Sequence, residues 1–173
     1  MSDSIIGIDP GNNLGTCILY LNKNLEIENI ETKVYHLDNG ITHEEYFLVE
    51  RNLYLSEIVR DLIRVNKPLA IGCEDCFKSK FANAVIQLAQ YIITIRRTVY
   101  EELGTFKINV MPPKLVKSGI GATGNANKLD MLRAVSKIDV LNKYLRKDIT
   151  EHEVDAMAIA YLTYLNFKEE IEV

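Results

Sequence analysis

The chain has 173 residues, 47% apolar and 25% charged, with a formal net charge of −4 at pH 7. Those values suit one globular domain with a real core, and one domain over residues 1–173 is expected. No apolar run is long enough for a membrane span, the first residues lack a signal peptide's basic region, and three cysteines make no disulfide framework, so a cytosolic chain with no membrane partner is expected.

Ile5-Ile6-Gly7-Ile8 is a β-branched run that suits a strand buried on both faces, and it ends on Asp9 before the Pro10-Gly11 break. Leu14 to Leu21 reads as a second strand, and Leu25 to Leu37 as a third after the Asn22-Lys23-Asn24 turn; short links predict an antiparallel meander. Thr42 and Glu45 have capping-box spacing, and the apolar period from Leu48 to Ile63 predicts a helix ended by Lys67-Pro68. Leu69 to Glu74 is a short buried strand that also ends in acid. A helix is expected from about Lys80 to Leu103, then a strand from Phe106 to Met111 stopped by Pro112-Pro113. Lys114 to Ser118 fits one helical turn, Gly119 to Asn125 a loop, and Asn127 to Lys137 a helix. A capping box at Thr150 and Glu153 opens a last helix to about Phe167. This order predicts an α/β fold, a five-stranded mixed sheet of three antiparallel then two parallel strands with helices on both faces.

Three distant segments thus present carboxylates that a sheet could gather: Asp9, Glu74 and Asp155, the last with His152 three residues before it on one helical face. Such a set suits divalent-metal hydrolysis of phosphodiesters, because Mg²⁺ takes hard oxygen ligands and two ions can hold both the attacking water and the leaving oxygen. His152 lies at the positive end of a helix dipole, which predicts a neutral imidazole able to bind metal or accept a proton. The net acidity argues against nucleic acid, yet residues 105–150 carry nine Lys/Arg against three Asp, a local excess suited to phosphate.

The chain resembles the RuvC-type Holliday junction resolvases of bacteria and their phages. Ile6 to Gly11 is similar to the family's opening strand, and Ile71 to Phe77 to its second acidic strand with an aromatic three residues after the Glu. Asn83 to Gln90 resembles the helix that follows, Lys114 to Lys128 the basic loop with two spaced lysines, and His152 to Ala160 the final acidic helix. The resemblance implies an RNase H-like fold, a homodimer, and paired, symmetric nicking of a four-way DNA junction by two-metal-ion hydrolysis, with two Mg²⁺ per site that Mn²⁺ can replace. By position it implies Asp9, Glu74, His152 and Asp155 as the catalytic and metal-binding set, in a bacterial or phage-infected cell. Phe77 would stack at the junction centre, and Lys117 and Lys128 would meet phosphates, with Lys78, Lys80 and Lys114 as further DNA contacts.

Other readings compete. Asp9 to Gly15 could pass for the phosphate loop of an actin-like ATPase, but 173 residues are too few for its two domains. An RNase H-fold nuclease acting on RNA or other branched DNA is the nearer alternative. Cys73 and Cys76 form a lone C-x-x-C with no second pair, and the glycines of 119–124 lack phosphate-loop spacing.

Overall fold

The computed structural model describes residues 3–76, 82–105 and 108–172. Strand β1 (Asp3–Asp9) pairs antiparallel with β2 (Asn13–Leu21), which pairs antiparallel with β3 (Ile27–His36). On its other side β1 runs parallel to β4 (Ala70–Glu74), and β4 parallel to β5 (Asn109–Met111). The order β3-β2-β1-β4-β5 is the expected five-stranded mixed sheet. Strand β3 starts later than its apolar pattern suggested. Leu25 takes a left-handed conformation, φ 58°, in a turn closed by the Asn22 side chain, which accepts from the Asn24 and Glu26 N–H groups.

The helices are α1 (Phe47–Asn66), α2 (Ala82–Leu103), α3 (Pro113–Gly119), α4 (Lys128–Val135), α5 (Asp139–Asn142) and α6 (Glu151–Ile171). The start of α1 corrects the expected capping box. Residues 44–46 form a 3-10 turn instead, and Glu50, inside the helix, reaches back to accept from the Thr42 N–H and hydroxyl and the His43 N–H. Thr150 and Glu153 do form their capping box, and α6 runs on to Ile171.

Strand alternation separates two apolar layers. Ile6, Ile8, Ile71 and Cys73 meet α1 and α2 on one face; Ile5, Cys17 and Leu19 meet α6, α3 and α4 on the other. On this second face the strands carry glycine where α6 crosses. A Cβ on Gly7 would overlap the Ala156 carbonyl oxygen and the Ala160 nitrogen, and one on Gly15 would overlap the His152 carbonyl oxygen. One on Gly72 would overlap the Thr163 hydroxyl. With Ala156, Ala158 and Ala160 fully buried, α6 therefore lies almost backbone to backbone on the sheet.

The first turn of α6 is also tied sideways. Glu153 is 5% exposed. Its carboxylate accepts from the Thr150 N–H (2.9 Å), the Thr32 hydroxyl (2.8 Å) and Arg146 Nη2 (2.6 Å). Burial pushes its pKa up, but these donors outweigh burial and hold it below the ordinary range. Glu153→Ala removes the buried carboxylate that accepts from Thr32, Arg146 and Thr150, and is expected to cost about 1–3 kcal/mol in denaturant unfolding. Its contribution stands above pH 4.5, the carboxyl's ordinary pKa, and is lost as the pH falls through the lowered folded value.

Candidate active site

Asp9 closes β1 on the face of Ile5 and Gly7, so its carboxylate emerges beneath the first turn of α6, 8% exposed. Glu74 closes β4 on the face of Gly72. The two strands are parallel with Ile8 opposite Cys73, so both acids leave the sheet at the same end. Helix α6 brings the rest: His152 Nδ1 donates to Asp9 Oδ2 at 2.9 Å, and Asp155 follows on the same helical face. The seat at Gly15, directly under the His152 backbone, fixes how near the helix stands.

These groups act on one another. Burial, then the charges of Asp9 and Asp155, push Glu74 up to about 8. Burial, then Asp9, push Asp155 up to about 6. Burial raises Asp9 as well, although His152 opposes the shift. His152 departs from the neutral imidazole expected of a helix N-terminus. Its hydrogen bond to Asp9 raises its pKa above 6.5, because a carboxylate at 2.9 Å outweighs a dipole end. Lys117 on α3 is the nearby counter-charge: it lowers both Glu74 and Asp155, while its ammonium donates to the Ala126 carbonyl at 2.8 Å. Lys128, the first residue of α4, pairs with Glu151 at the start of α6.

Among the described residues no three His, Cys, Asp or Glu side chains already form a cage around a metal position. The donor set nevertheless fits a hard cation: burial raises all three carboxylates, the Asp9 charge raises Glu74 and Asp155 further, Asp155 raises Glu74, and positive charge between them relieves that repulsion. The sign for stability follows. Between its ordinary 4.5 and about 8 the folded Glu74 keeps a proton that the unfolded chain has lost, and Asp155 does so between 3.8 and about 6. His152 adds stability below 6.5 that is lost as the pH rises through its raised value. The metal-free protein is therefore expected to melt at progressively lower temperature from about pH 5 to about pH 8, with Mg²⁺ restoring the loss at the upper end and doing little at the lower. Glu74→Gln should flatten the slope; scanning calorimetry at the two pH values, with and without Mg²⁺, reads it.

Phe77, Lys78 and Lys80, expected to contact DNA, lie outside the described residues. Lys114 is exposed on α3, beside Gly124 of the loop. Two groups near the site escape the sequence reading. Glu151 looks like an ordinary first-turn acid, yet its carboxylate stands 3.7 Å from His152 Nε2 and its charge raises Asp9 and Asp155. The Asn12 side chain accepts from Gln87 Nε2 (3.0 Å) and the Tyr91 hydroxyl (2.8 Å), which ties the turn after Asp9 to α2; no local pattern links residues so far apart. Two grooves, about 670 Å³ between α1 and β2–β3 and about 820 Å³ beside β4 and β5, are lined by none of the four acid-cluster residues.

Comparison with known proteins identifies relatives of this chain. The chain is 29% identical over 164 residues to a crossover junction endodeoxyribonuclease RuvC of Sulfurovum sp. (strain NBC37-1), covering 94% of each chain. It is 29% identical over 160 residues to one of Prochlorococcus marinus, covering 90% of this chain and 94% of that one. Among solved structures, Thermus thermophilus RuvC in complex with Holliday junction substrate superposes with a TM-score of 0.72 at 20% identity over 96% of both chains. The yeast mitochondrial Holliday junction resolvase gives 0.64 at 15% identity, over 98% of this chain and 85% of that one. These structures share the fold of this chain, a five-stranded mixed sheet with helices on both faces. A model of the crossover junction endodeoxyribonuclease RuvC family matches residues 5–163, and the chain belongs to that family.

Proposed function

We propose that this protein resolves four-way DNA junctions by paired, symmetric phosphodiester hydrolysis with divalent metal ions, in the cytoplasm of a bacterial or phage-infected cell. The observation that carries the reading is the convergence of Asp9, Glu74 and Asp155, with His152 bonded to Asp9, at one end of two parallel strands beside Lys117. Asp9, Glu74, Asp155 and His152 would hold two Mg²⁺ ions, or Mn²⁺ in their place. When bound, such ions supply a water of lowered pKa and neutralise charge on the leaving oxygen. The chain's own groups do the rest. Asp9 fixes the His152 ring through Nδ1 and leaves Nε2, 3.7 Å from the Glu151 carboxylate, to hold or pass a proton. Lys117 and Lys128 meet backbone phosphates and offset developing negative charge. Lys114 extends that basic rim, and Phe77, Lys78 and Lys80 are assigned to the junction by resemblance.

Symmetric cutting calls for two sites related by a two-fold axis. An exposed apolar row is available on α2, where Ile86, Ile93 and Tyr100 recur at seven-residue spacing, and Val49 and Leu53 of α1 are exposed as well. A homodimer through these faces is part of the proposal. The T. thermophilus relative, solved with a Holliday junction substrate, lends support at the level of fold.

The test offers a synthetic four-way junction, a fork, a duplex and an RNA–DNA hybrid, each with Mg²⁺, Mn²⁺ or EDTA, and maps products on every strand. Junction cleavage at paired positions on opposite strands, in either metal and absent in EDTA, is expected. Preferential cutting of the hybrid would overturn the junction assignment and favour an RNA substrate.

A further inference from the structure

We propose that Glu151 is a built-in surrogate for DNA phosphate: it holds Lys128 in the DNA-free protein and has to surrender it to a backbone phosphate when substrate binds. The inference rests on the junction-nuclease reading and adds a residue that sets selectivity among DNA structures.

The pair joins two separately capped helices. Asn127 and Asp130 cap α4, and Thr150 and Glu153 cap α6. Neither Lys128 nor Glu151 serves those caps, so the fold does not call for their contact. The contact spans the rim of the site. Lys128 comes from the end of the basic loop, 78% exposed, and Glu151 sits 31% exposed beside His152. A carboxylate on a lysine makes the charge-assisted bond that a phosphate oxygen would make. Because the pair is exposed it is weak, and a phosphate delivered to this spot can break it.

The exchange has a counterion signature. A free lysine that meets DNA displaces a counterion from the duplex, which steepens the salt dependence of binding by about 0.9 per contact. A lysine already neutralised by Glu151 brings no such gain, because the released carboxylate takes up a cation of its own. Lys128 is thus worth little to DNA that merely drifts near the rim. It helps DNA whose shape drives a phosphate into the site.

The experiment measures binding to a four-way junction and to a duplex of the same sequence, in EDTA, across a range of KCl concentrations. The proteins are the wild-type chain, Glu151→Gln, Lys128→Met and the double variant. Glu151→Gln is expected to tighten junction binding by about 2–5-fold, the range set by an exposed ion pair. It should tighten duplex binding at least as much, narrowing the junction-to-duplex ratio, and steepen the salt slope by about 1. In the wild-type background Lys128→Met should leave the slope nearly unchanged; in the Glu151→Gln background it should remove the added steepness. If Glu151→Gln tightens binding equally with and without Lys128, the carboxylate is only a repulsive charge and the inference falls. An unchanged slope in Glu151→Gln overturns it too. If none of the four proteins binds the junction, the proposed function falls first and takes this inference with it.

Discussion

Asp9→Asn is expected to give a folded protein that binds a four-way junction within about 3-fold of wild type and cuts it at least about 1,000-fold more slowly, a loss of about 4 kcal/mol of transition-state stabilisation. Asparagine keeps the shape and an oxygen that can still accept from His152 Nδ1, so the first turn of α6 need not move. What goes is the negative charge that acts most strongly on Glu74 and Asp155, which a cation between the three carboxylates needs. That charge also raises both neighbours, so its removal lowers their pKa values and makes the metal-free variant melt higher than wild type near pH 8. The combined signature is a protein more stable, able to bind and unable to cut, whose melting temperature no longer responds to Mg²⁺. Gel-shift binding, strand-cleavage rates and calorimetry on one preparation read all three. Cleavage at the wild-type rate would remove Asp9 from the metal set.

Gly7→Ala should be among the most damaging single methyls in the sheet. The added carbon would overlap the Ala156 carbonyl oxygen and the Ala160 nitrogen and lie 2.7 Å from the Ala160 Cα. All three are helix backbone, so no side chain can swing aside. Helix α6 would have to lift as a body, at a cost of about 2–4 kcal/mol, in the upper range for overpacking a well-packed core. The lift carries Asp155 and His152 away from Asp9 and Glu74, and a shift near 1 Å costs about 100-fold in rate. Denaturant unfolding and junction cleavage together check the pair of effects. An unaltered midpoint would mean that the helix stands farther from β1 than the glycine allows. Gly15→Ala is the corresponding lesion at the other end of the seat, under the His152 backbone.

Much of this arrangement is legible in the chain because the relevant signals are local. The Ile5–Ile8 run with its Pro-Gly break, and Ile71-Gly72-Cys73 before Glu74, mark two buried strands that end in acid. Thr150 and Glu153 mark where α6 begins, and the spacing of His152 and Asp155 puts both on one face. The start of α1 departs from its local pattern because two acids compete for Thr42. Glu45 has the sequence spacing, but Glu50 has the reach once residues 44–46 tighten into a 3-10 turn. The protonation of His152 could not be read from its own helix, since the deciding partner, Asp9, is 143 residues away. The same holds for Glu151 with Lys128, and for Asn12 with Tyr91: each link is made by packing, and neither partner has a local pattern that names the other. The glycines at 7, 15 and 72 fall in strand runs where Gly weakens the strand, and only the crossing helix explains them.

That close seat has a consequence for how the enzyme fails. Where Gly7 faces Ala156 and Ala160, helix backbone rests on strand backbone with no side chain to absorb a small displacement, so the central part of α6 cannot loosen piecemeal. Its amides belong with the most slowly exchanging hydrogens of the molecule, which open only when the whole structure does. Warming should then extinguish turnover and dissolve the native state in one cooperative step, without an inactive but still folded form in between.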